Sequence, residues 1–217
     1  MAKAKTAYVC NECGADFTKW QGQCSACQAW NTLSEVRLGA VQSAAARPRY
    51  DGYAGQASQR VMRLADVDLA DMPRFSTGTE ELDRVLGGGL VPGSSILMGG
   101  HPGAGKSTLL LQIMCYLAEN IPALYVTGEE SLQQVAMRAH RLGLKAEHLK
   151  MLSETSVESV CQVASELKPR VIVIDSIQVM HMAEVQSAPG SVSQVRESAA
   201  DLTRFAKQTG CVLFFVK

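Results

Sequence analysis

Eight consecutive residues near the middle of the chain, GHPGAGKS at 100–107, match the pattern G-x-x-x-x-G-K-[ST] at every fixed position. The apolar stretch SILMG at 95–99 precedes them and predicts a strand. The segment KSTLLLQIMCYLAEN at 106–120 predicts a helix, because its apolar residues recur at helical spacing. A strand, a glycine-rich turn and a helix in this order form a P-loop, so we expect an α/β fold built around a phosphate-binding turn.

The composition of this turn indicates how phosphates would be held. Gly100, Gly103 and Gly105 allow the backbone to curl so that successive N–H groups face one anion. Lys106 can reach the terminal phosphates, and the Ser107 hydroxyl can coordinate Mg2+. His101 occupies a variable position and is expected to matter only through its backbone. The predicted nucleotide-binding residues are Gly100, His101, Pro102, Gly103, Ala104, Gly105, Lys106, Ser107 and Thr108.

Apolar strand-like segments and helical segments alternate after the P-loop. Further strands are predicted at 123–130, 170–176 and 211–216, with a short one at 148–152. Helices are predicted at 131–144, 156–167 and 191–208, and upstream at 81–86 after Thr79 as N-cap. Such alternation predicts a parallel sheet covered by helices.

Two of these strands end in acidic residues. In RVIVIDS, four apolar residues lead to Asp175 at the carboxyl end, where ligands bind in open α/β sheets. Asp175 is therefore predicted to be the Walker B carboxylate, which holds Mg2+ through water.

The other acidic strand end is TGEES, where Glu129 and Glu130 follow the strand at 123–130. A carboxylate there can orient and polarise the water that attacks the γ-phosphate, and Glu129 is the predicted catalytic acid. The alternative is that both acids simply cap the following helix beside Ser131, a role that needs only one of them and that we expect of Glu130.

Four cysteines near the start form two CxxC pairs, Cys10 with Cys13 and Cys24 with Cys27. Four thiolates complete the closed tetrahedral shell of structural Zn2+, and Trp20 and Trp30 are expected to cover this small site. A redox pair, a disulfide pair and an iron site are the alternatives. The remaining cysteines are predicted to be small buried residues: Cys115, Cys161 and Cys211.

Charge and hydropathy restrict the partners and the compartment. Lys plus Arg and Asp plus Glu each number 21, so any nucleic-acid binding must depend on local patches. No apolar leader begins the chain and no stretch reaches the roughly 18 apolar residues of a membrane span, which predicts a cytoplasmic protein without membrane contact.

Two segments are candidates for a local interaction surface. The basic run at 138–150 is expected to be a solvated helix face, with contact to nucleic acid or to a neighbour's carboxylates as the alternative. The polar, proline-broken stretch at 181–194 is predicted to be a loop at the ligand end of the sheet, and it is the best candidate for a DNA-contacting loop.

The change in composition near residue 60 divides the chain into three parts. Residues 1–33 are predicted to form a zinc-binding module with four cysteine ligands, and residues 34–60, rich in Ala, Gly, Ser and Gln, a linker. Residues 61–217 are predicted to form the P-loop domain.

Several stretches together resemble the bacterial RadA (Sms) family of DNA-repair and recombination ATPases: CNECG, KWQGQCSACQAWNTL, RFSTGTEELDRVLGGGLVPGS, GGHPGAGKSTLLLQ, LYVTGEESLQQVAMRAHRLGL and VIDSIQVMHM. The resemblance implies an N-terminal zinc module, a RecA-like core and ring-shaped homo-oligomers. It also implies Mg-ATP hydrolysis acting on single-stranded or branched DNA, with recombination proteins as partners and a DNA-contacting loop after the Walker B strand. Under it the zinc ligands are Cys10, Cys13, Cys24 and Cys27, and the catalytic residues are Lys106, Glu129 and Asp175.

The chain departs from the family pattern after Lys217, where the family continues with further core strands and a protease-like domain. The strand at 211–216 is therefore expected to lack neighbours and to present an exposed apolar edge. The alternative functions are an inactive nucleotide-binding fragment, a zinc-mediated docking module without turnover, and a RecA-like signalling ATPase or kinase without a DNA role.

Overall fold

The computed structural model describes residues 5–38, 63, 65 and 73–217. Within these ranges the chain forms a small antiparallel sheet near its start and a five-stranded parallel sheet with helices on both faces. The predicted architecture, an α/β core preceded by a four-cysteine module, is confirmed.

The N-terminal sheet has the strand order β2-β1-β3, with β1 at Lys5–Cys10, β2 at Asp16–Phe17 and β3 at Leu33–Leu38. Both neighbours of β1 are antiparallel to it. Strand β3 continues five residues past the predicted end of the module at 33, so the first residues of the predicted linker belong to this sheet. Residues 39–60 of that linker lie outside the described residues.

The elements of the larger sheet follow the predicted order with small shifts at their ends. Its strands are β4 (Ser95–Met98), β5 (Ala123–Thr127), β6 (Lys150–Ser153), β7 (Val171–Asp175) and β8 (Val212–Val216). Its helices are α1 (Glu80–Val85), α2 (Lys106–Ala118), α3 (Leu132–Arg141), α4 (Val157–Leu167) and α5 (Val192–Thr209), with a 3-10 helix at Ile177–Val179.

The strand order β4-β8-β7-β5-β6, with every pair parallel, places β8 inside the sheet. The prediction of an exposed edge at 211–216 is therefore wrong. Strand β8 pairs with β4 and β7, and all five of its residues are buried. Among the described residues the edge strands are β4 and β6 instead, and on β4 the side chain of Leu97 is 63% exposed.

Alternation along the strands divides the apolar core between the two faces of the sheet. Residues such as Tyr125, Val173 and Phe214 pack in one cluster with helices α2 and α3. Residues such as Val126, Ile174 and Phe215 pack in the other cluster with α4 and α5. Asp175 stands two residues after Val173, so its side chain lies on the same face of the sheet, the face that carries α2.

Two of the three isolated cysteines behave as predicted. Cys115 and Cys211 are buried, each in one of the two clusters, whereas Cys161 is only half-buried at the edge of the second. No helix in the described ranges is long and apolar enough to cross a membrane.

Candidate functional site

The glycine-rich turn between β4 and α2 has the backbone conformation that its sequence predicts. Gly103 (φ 79°) and Gly105 (φ 84°) are both left-handed, and Gly105 is the N-cap of α2. A methyl group on either residue would meet nothing within 4 Å, so the backbone conformation, rather than crowding, requires glycine here.

The N-terminus of α2 is suited to an anion. This 13-residue helix has no side-chain cap and no acidic residue in its first turn, so its first N–H groups and the positive end of its dipole are not neutralised locally. The ammonium of Lys106 lies against the same turn, where it donates to the carbonyl oxygens of Gly100 (2.7 Å) and His101 (3.0 Å). A cation and free N–H groups thus converge on one turn, the chemistry that binds phosphates.

Asp175 lies at the same end of the sheet as this turn. Strand β4 leads into the turn and β7 ends at Asp175, and the parallel strands are separated only by β8. The carboxylate is half-buried, and its Oδ2 atom accepts a hydrogen bond of 2.5 Å from the hydroxyl of Tyr125. An oxygen donor of this kind at the same end of the sheet as Ser107 fits Mg2+, which prefers carboxylate, hydroxyl and phosphate oxygens.

The two adjacent acids after β5 have different partners. Glu129 is exposed, and one of its carboxylate oxygens accepts a hydrogen bond from the hydroxyl of Ser176, directly after Asp175. Glu130 binds Nη2 of Arg138 through both of its oxygens. Glu129 therefore faces the end of β7, whereas Glu130 is engaged by α3.

The alternative that these acids cap the next helix is wrong. Helix α3 is capped by Ser131, whose hydroxyl accepts from the N–H of Gln134 (3.3 Å) while the Gln134 side chain accepts from the N–H of Ser131 (2.8 Å). This reciprocal capping box leaves no role at the N-cap for Glu130.

Sequence reasoning missed two residues at the site, Tyr125 and Ser176. Tyr125 is fully buried, and burial, followed by the negative charge of Asp175, raises the pKa of its hydroxyl. The available signals were a phenol among the aliphatic residues of β5 and a hydroxyl directly after the acid that ends β7, because a buried polar tip needs a partner.

The loop predicted at 181–194 is irregular up to Gly190, but a buried side chain holds it. Gln194, in the first turn of α5, is only 2% exposed. Its amide accepts from the N–H of Met182 (3.0 Å) and donates to the carbonyl oxygens of Val185 and Ser187 (2.9 Å each). Residues 182–187 therefore have a defined conformation beyond the end of β7.

The basic run is a solvated face except at its first member. Arg138 is half-buried and paired with Glu130, whereas the other basic residues are exposed: His140, Arg141, Lys145, His148 and Lys150.

The four cysteines of the N-terminal module converge on one point. Their sulfur atoms all lie within 4.8 Å of one another, with 3.7 Å between Cys10 and Cys27 and 3.6 Å between Cys13 and Cys24. Zn–S bonds of about 2.3 Å in a tetrahedron separate the sulfurs by about 3.8 Å. The donor set and its spacing fit a structural Zn2+, and all seven cysteines are free of disulfides.

Matching turns build the two halves of this site. The N–H of Gly14 donates to the carbonyl of Cys10 (2.9 Å), and the N–H of Gln28 donates to that of Cys24 (2.7 Å). Both residues have positive φ, 74° and 62°.

The thiols of this cluster differ in how readily they ionise. Burial opposes ionisation of Cys10, but hydrogen bonds from Thr32 and from the N–H groups of Cys13 and Glu12 outweigh it and lower its pKa to about 6. At Cys27 a hydrogen bond from the N–H of Ala29 favours ionisation, yet burial and the other three cysteines raise its pKa to about 12. Thiolates this close to one another repel, so each ionised thiol opposes ionisation of the others. A divalent cation bound between them would remove this repulsion.

The expectation that the two tryptophans cover the metal site is wrong. Trp20 and Trp30 are 59% and 69% exposed, and both rings flank Gly22. Among residues 8–34, whose burial the structure describes, the buried ones are Cys10, Cys24 and Leu33.

The parallel sheet and its glycine-rich turn define a P-loop nucleotide-binding domain. A family model described as an AAA domain matches residues 58–217, about three-quarters of the chain, and the chain belongs to this family. A model described as a rubredoxin metal binding domain matches residues 8–35, the four-cysteine module.

The resemblance to the RadA family is also confirmed. The chain is 65% identical to the DNA repair protein RadA of Haemophilus influenzae and 66% identical to those of Salmonella typhimurium and Escherichia coli, in each case over its whole length. The aligned region is 47% of each relative, so the chain spans about half the length of the curated relatives it matches.

Proposed function

We propose that this chain is an ATP-hydrolysing P-loop domain that acts on DNA in repair and recombination. The observation that carries the proposal is that Asp175 and Glu129 lie at the carboxyl end of the sheet, where the glycine-rich turn and Lys106 also lie. A phosphate-binding turn alone is compatible with any nucleotide-binding protein. Hydrolysis also requires carboxylates near the turn, one for Mg2+ and one for the attacking water.

Each side chain has a distinct role in this proposal. The turn at 100–108 and the ammonium of Lys106 bind the phosphates, while Ser107 and Asp175 hold Mg2+, which neutralises charge on the phosphates. Glu129 accepts a hydrogen bond from the attacking water and orients it. The oxygen of Glu129 not bound by Ser176 has no hydrogen-bond partner in the described part of the chain, so it can take this role.

The DNA part of the proposal depends on the relatives and on the loop. The relatives are named DNA repair proteins, and residues 182–187 form an ordered loop beyond the Walker B strand. We extend to this chain the single-stranded or branched DNA substrate, the recombination partners, the ring-shaped homo-oligomer and the cytoplasmic location implied by the resemblance. The four cysteines are proposed to hold Zn2+, and the division into module, linker and P-loop domain is part of the same proposal.

Steady-state ATP hydrolysis with and without single-stranded DNA tests this function. We expect DNA to stimulate the rate, Lys106→Ala to weaken nucleotide binding, and Glu129→Gln to abolish turnover while nucleotide still binds. Glu130→Gln is the matched control, because its carboxylate is bound by Arg138, and it should retain most of the activity. Turnover that survives Glu129→Gln would contradict the assignment of the catalytic acid.

A second function is favoured by the exposed tryptophans. Two rings open to solvent on the metal module are the kind of surface that binds a partner, as in a zinc-mediated docking module without turnover. Nucleotide binding by the wild-type chain without hydrolysis, at any DNA concentration, would favour this second function.

A further inference from the structure

The two carboxylates of the proposed site are tied crosswise between neighbouring strands. Asp175 ends β7 but is bound by Tyr125 of β5, and Glu129 follows β5 but is bound by Ser176 after β7. The N–H of Gly128 also donates to the carbonyl of Asp175 (2.9 Å), so the backbones of the two strand ends are joined at the same place.

The register of the sheet explains why Tyr125 reaches Asp175. Thr127 of β5 is the register partner of Asp175, and Tyr125 stands two residues earlier on the same face. A long aromatic side chain can span this diagonal and place its hydroxyl on the carboxylate. Because the ring is fully buried in the α2 face of the core, the hydroxyl has little freedom to move away.

Ser176 is held just as firmly. It is 4% exposed and stands between the end of β7 and the 3-10 helix at Ile177–Val179. Its hydroxyl binds one oxygen of Glu129, whose side chain is otherwise exposed and would sample several rotamers. The bond selects one orientation and leaves the other oxygen for water.

We propose that Tyr125 and Ser176 are positioning residues for hydrolysis, Tyr125 by orienting Asp175 toward Mg2+ and Ser176 by orienting Glu129 toward the attacking water. This inference rests on the proposed ATPase function. Each hydroxyl is assigned to one carboxylate. Removing the hydroxyl of Ser176 should therefore affect the activation of water, and removing that of Tyr125 should affect the binding of Mg2+.

Tyr125→Phe and Ser176→Ala separate the two roles, since each removes one hydroxyl and keeps the remaining side-chain shape. For Ser176→Ala we expect kcat to fall on the order of tenfold, as for the loss of one hydrogen bond to a charged group, with KM for ATP unchanged. Ser176→Thr keeps a hydroxyl and should recover most of the rate. For Tyr125→Phe we expect the Mg2+ concentration that gives half-maximal activity to rise severalfold.

Tyr116→Phe and Ser165→Ala are the matched controls. Tyr116 is an exposed tyrosine of α2, and the hydroxyl of Ser165 donates to the carbonyl of Cys161 in α4, away from both carboxylates. Both variants should keep the wild-type kcat and Mg2+ dependence. Thermal unfolding of every variant identifies any that fails to fold, and for such a variant Tyr125→Leu or Ser176→Gly provides the second measurement.

The outcomes separate this inference from the proposed function. A wild-type rate, or a faster one, for Ser176→Ala would overturn the role of Ser176, and an unchanged Mg2+ dependence for Tyr125→Phe would overturn that of Tyr125. A wild-type chain that binds ATP but never hydrolyses it would instead overturn the proposed function, and the role of Ser176 with it. The Mg2+ dependence of binding of a fluorescent ATP analogue would then still decide the role of Tyr125.

Discussion

Both carboxylate oxygens of Glu130 bind Nη2 of Arg138, and this pair turns Glu130 away from the site that its neighbour Glu129 faces. The side chains are 34% and 17% exposed, so the pair lies at the boundary between solvent and core. The two adjacent acids thus have separate partners, Ser176 after β7 for Glu129 and Arg138 of α3 for Glu130.

Removing this pair should reduce stability without removing activity. We expect Glu130→Gln to lower the free energy of unfolding by about 1–2 kcal/mol, between the values for exposed and buried pairs, because it leaves the Arg138 guanidinium without its counter-charge. Chemical denaturation measures the change. Glu166→Gln, at an exposed position on α4, should change stability little, and an equal loss there would contradict the interpretation.

The glycine-rich turn should reject a methyl group at Gly105, whereas Gly99, directly before the turn, should tolerate one. Gly105→Ala forces an L-residue into left-handed backbone at the start of α2, at a cost of about 1–2 kcal/mol, and should weaken ATP binding strongly. Gly99→Ala places its methyl group in open space without positive φ and should bind ATP nearly as the wild type does. Equilibrium binding of a fluorescent ATP analogue compares the two variants.

One substitution should stabilise the metal module. Gln28 adopts φ 62° in the turn that matches the turn of Gly14, so Gln28→Gly should relieve about 1 kcal/mol of backbone strain. The hydrogen bond from the Gln23 amide goes to the backbone carbonyl of Gln28 and is retained. The variant should release its metal to a chelator more slowly. Gly14→Ala should release its metal faster than the wild type. Faster release from Gln28→Gly would contradict the proposal that Gln28 is strained.

Metal removal should unfold the N-terminal module. Within residues 8–34 its buried core consists of two cysteines and one leucine, which cannot replace the metal. We expect a chelator to release one equivalent of zinc for each chain and to expose four additional thiols to reagent. Hydrogen exchange should show lost protection in β1 and β3, and protection that survives metal removal would contradict a metal-dependent fold.

The loop that follows β7 should lose its order when Gln194 is replaced. Gln194→Leu keeps the volume but leaves the N–H of Met182 and the carbonyls of Val185 and Ser187 without this partner. We expect faster hydrogen exchange across residues 182–187, because local opening no longer breaks those bonds. Gln208→Leu, at an exposed position near the end of α5, is the control and should leave that exchange unchanged.

The geometry of the glycine-rich turn and of the four-cysteine cluster could be predicted from the sequence because it depends on local spacing. Cys-x-x-Cys pairs and G-x-x-x-x-G-K-S bring their groups together within a single turn, whatever surrounds them. The position of Asp175 and Glu129 at one end of the sheet could be predicted for a related reason, since the carboxyl ends of parallel strands meet there. Their roles stay predictions.

Tertiary structure alone decided which side chains contact one another at that end of the sheet. The partners of Asp175 and Glu129 lie 50 and 47 residues away along the chain, and their contact depends on β5 pairing with β7. The order of strands in a sheet is set by long-range packing and not by their order in the chain, which is why β8 lies inside the sheet. Periodicity shows which residues of a strand share a face, but only the folded sheet determines their neighbours on that face.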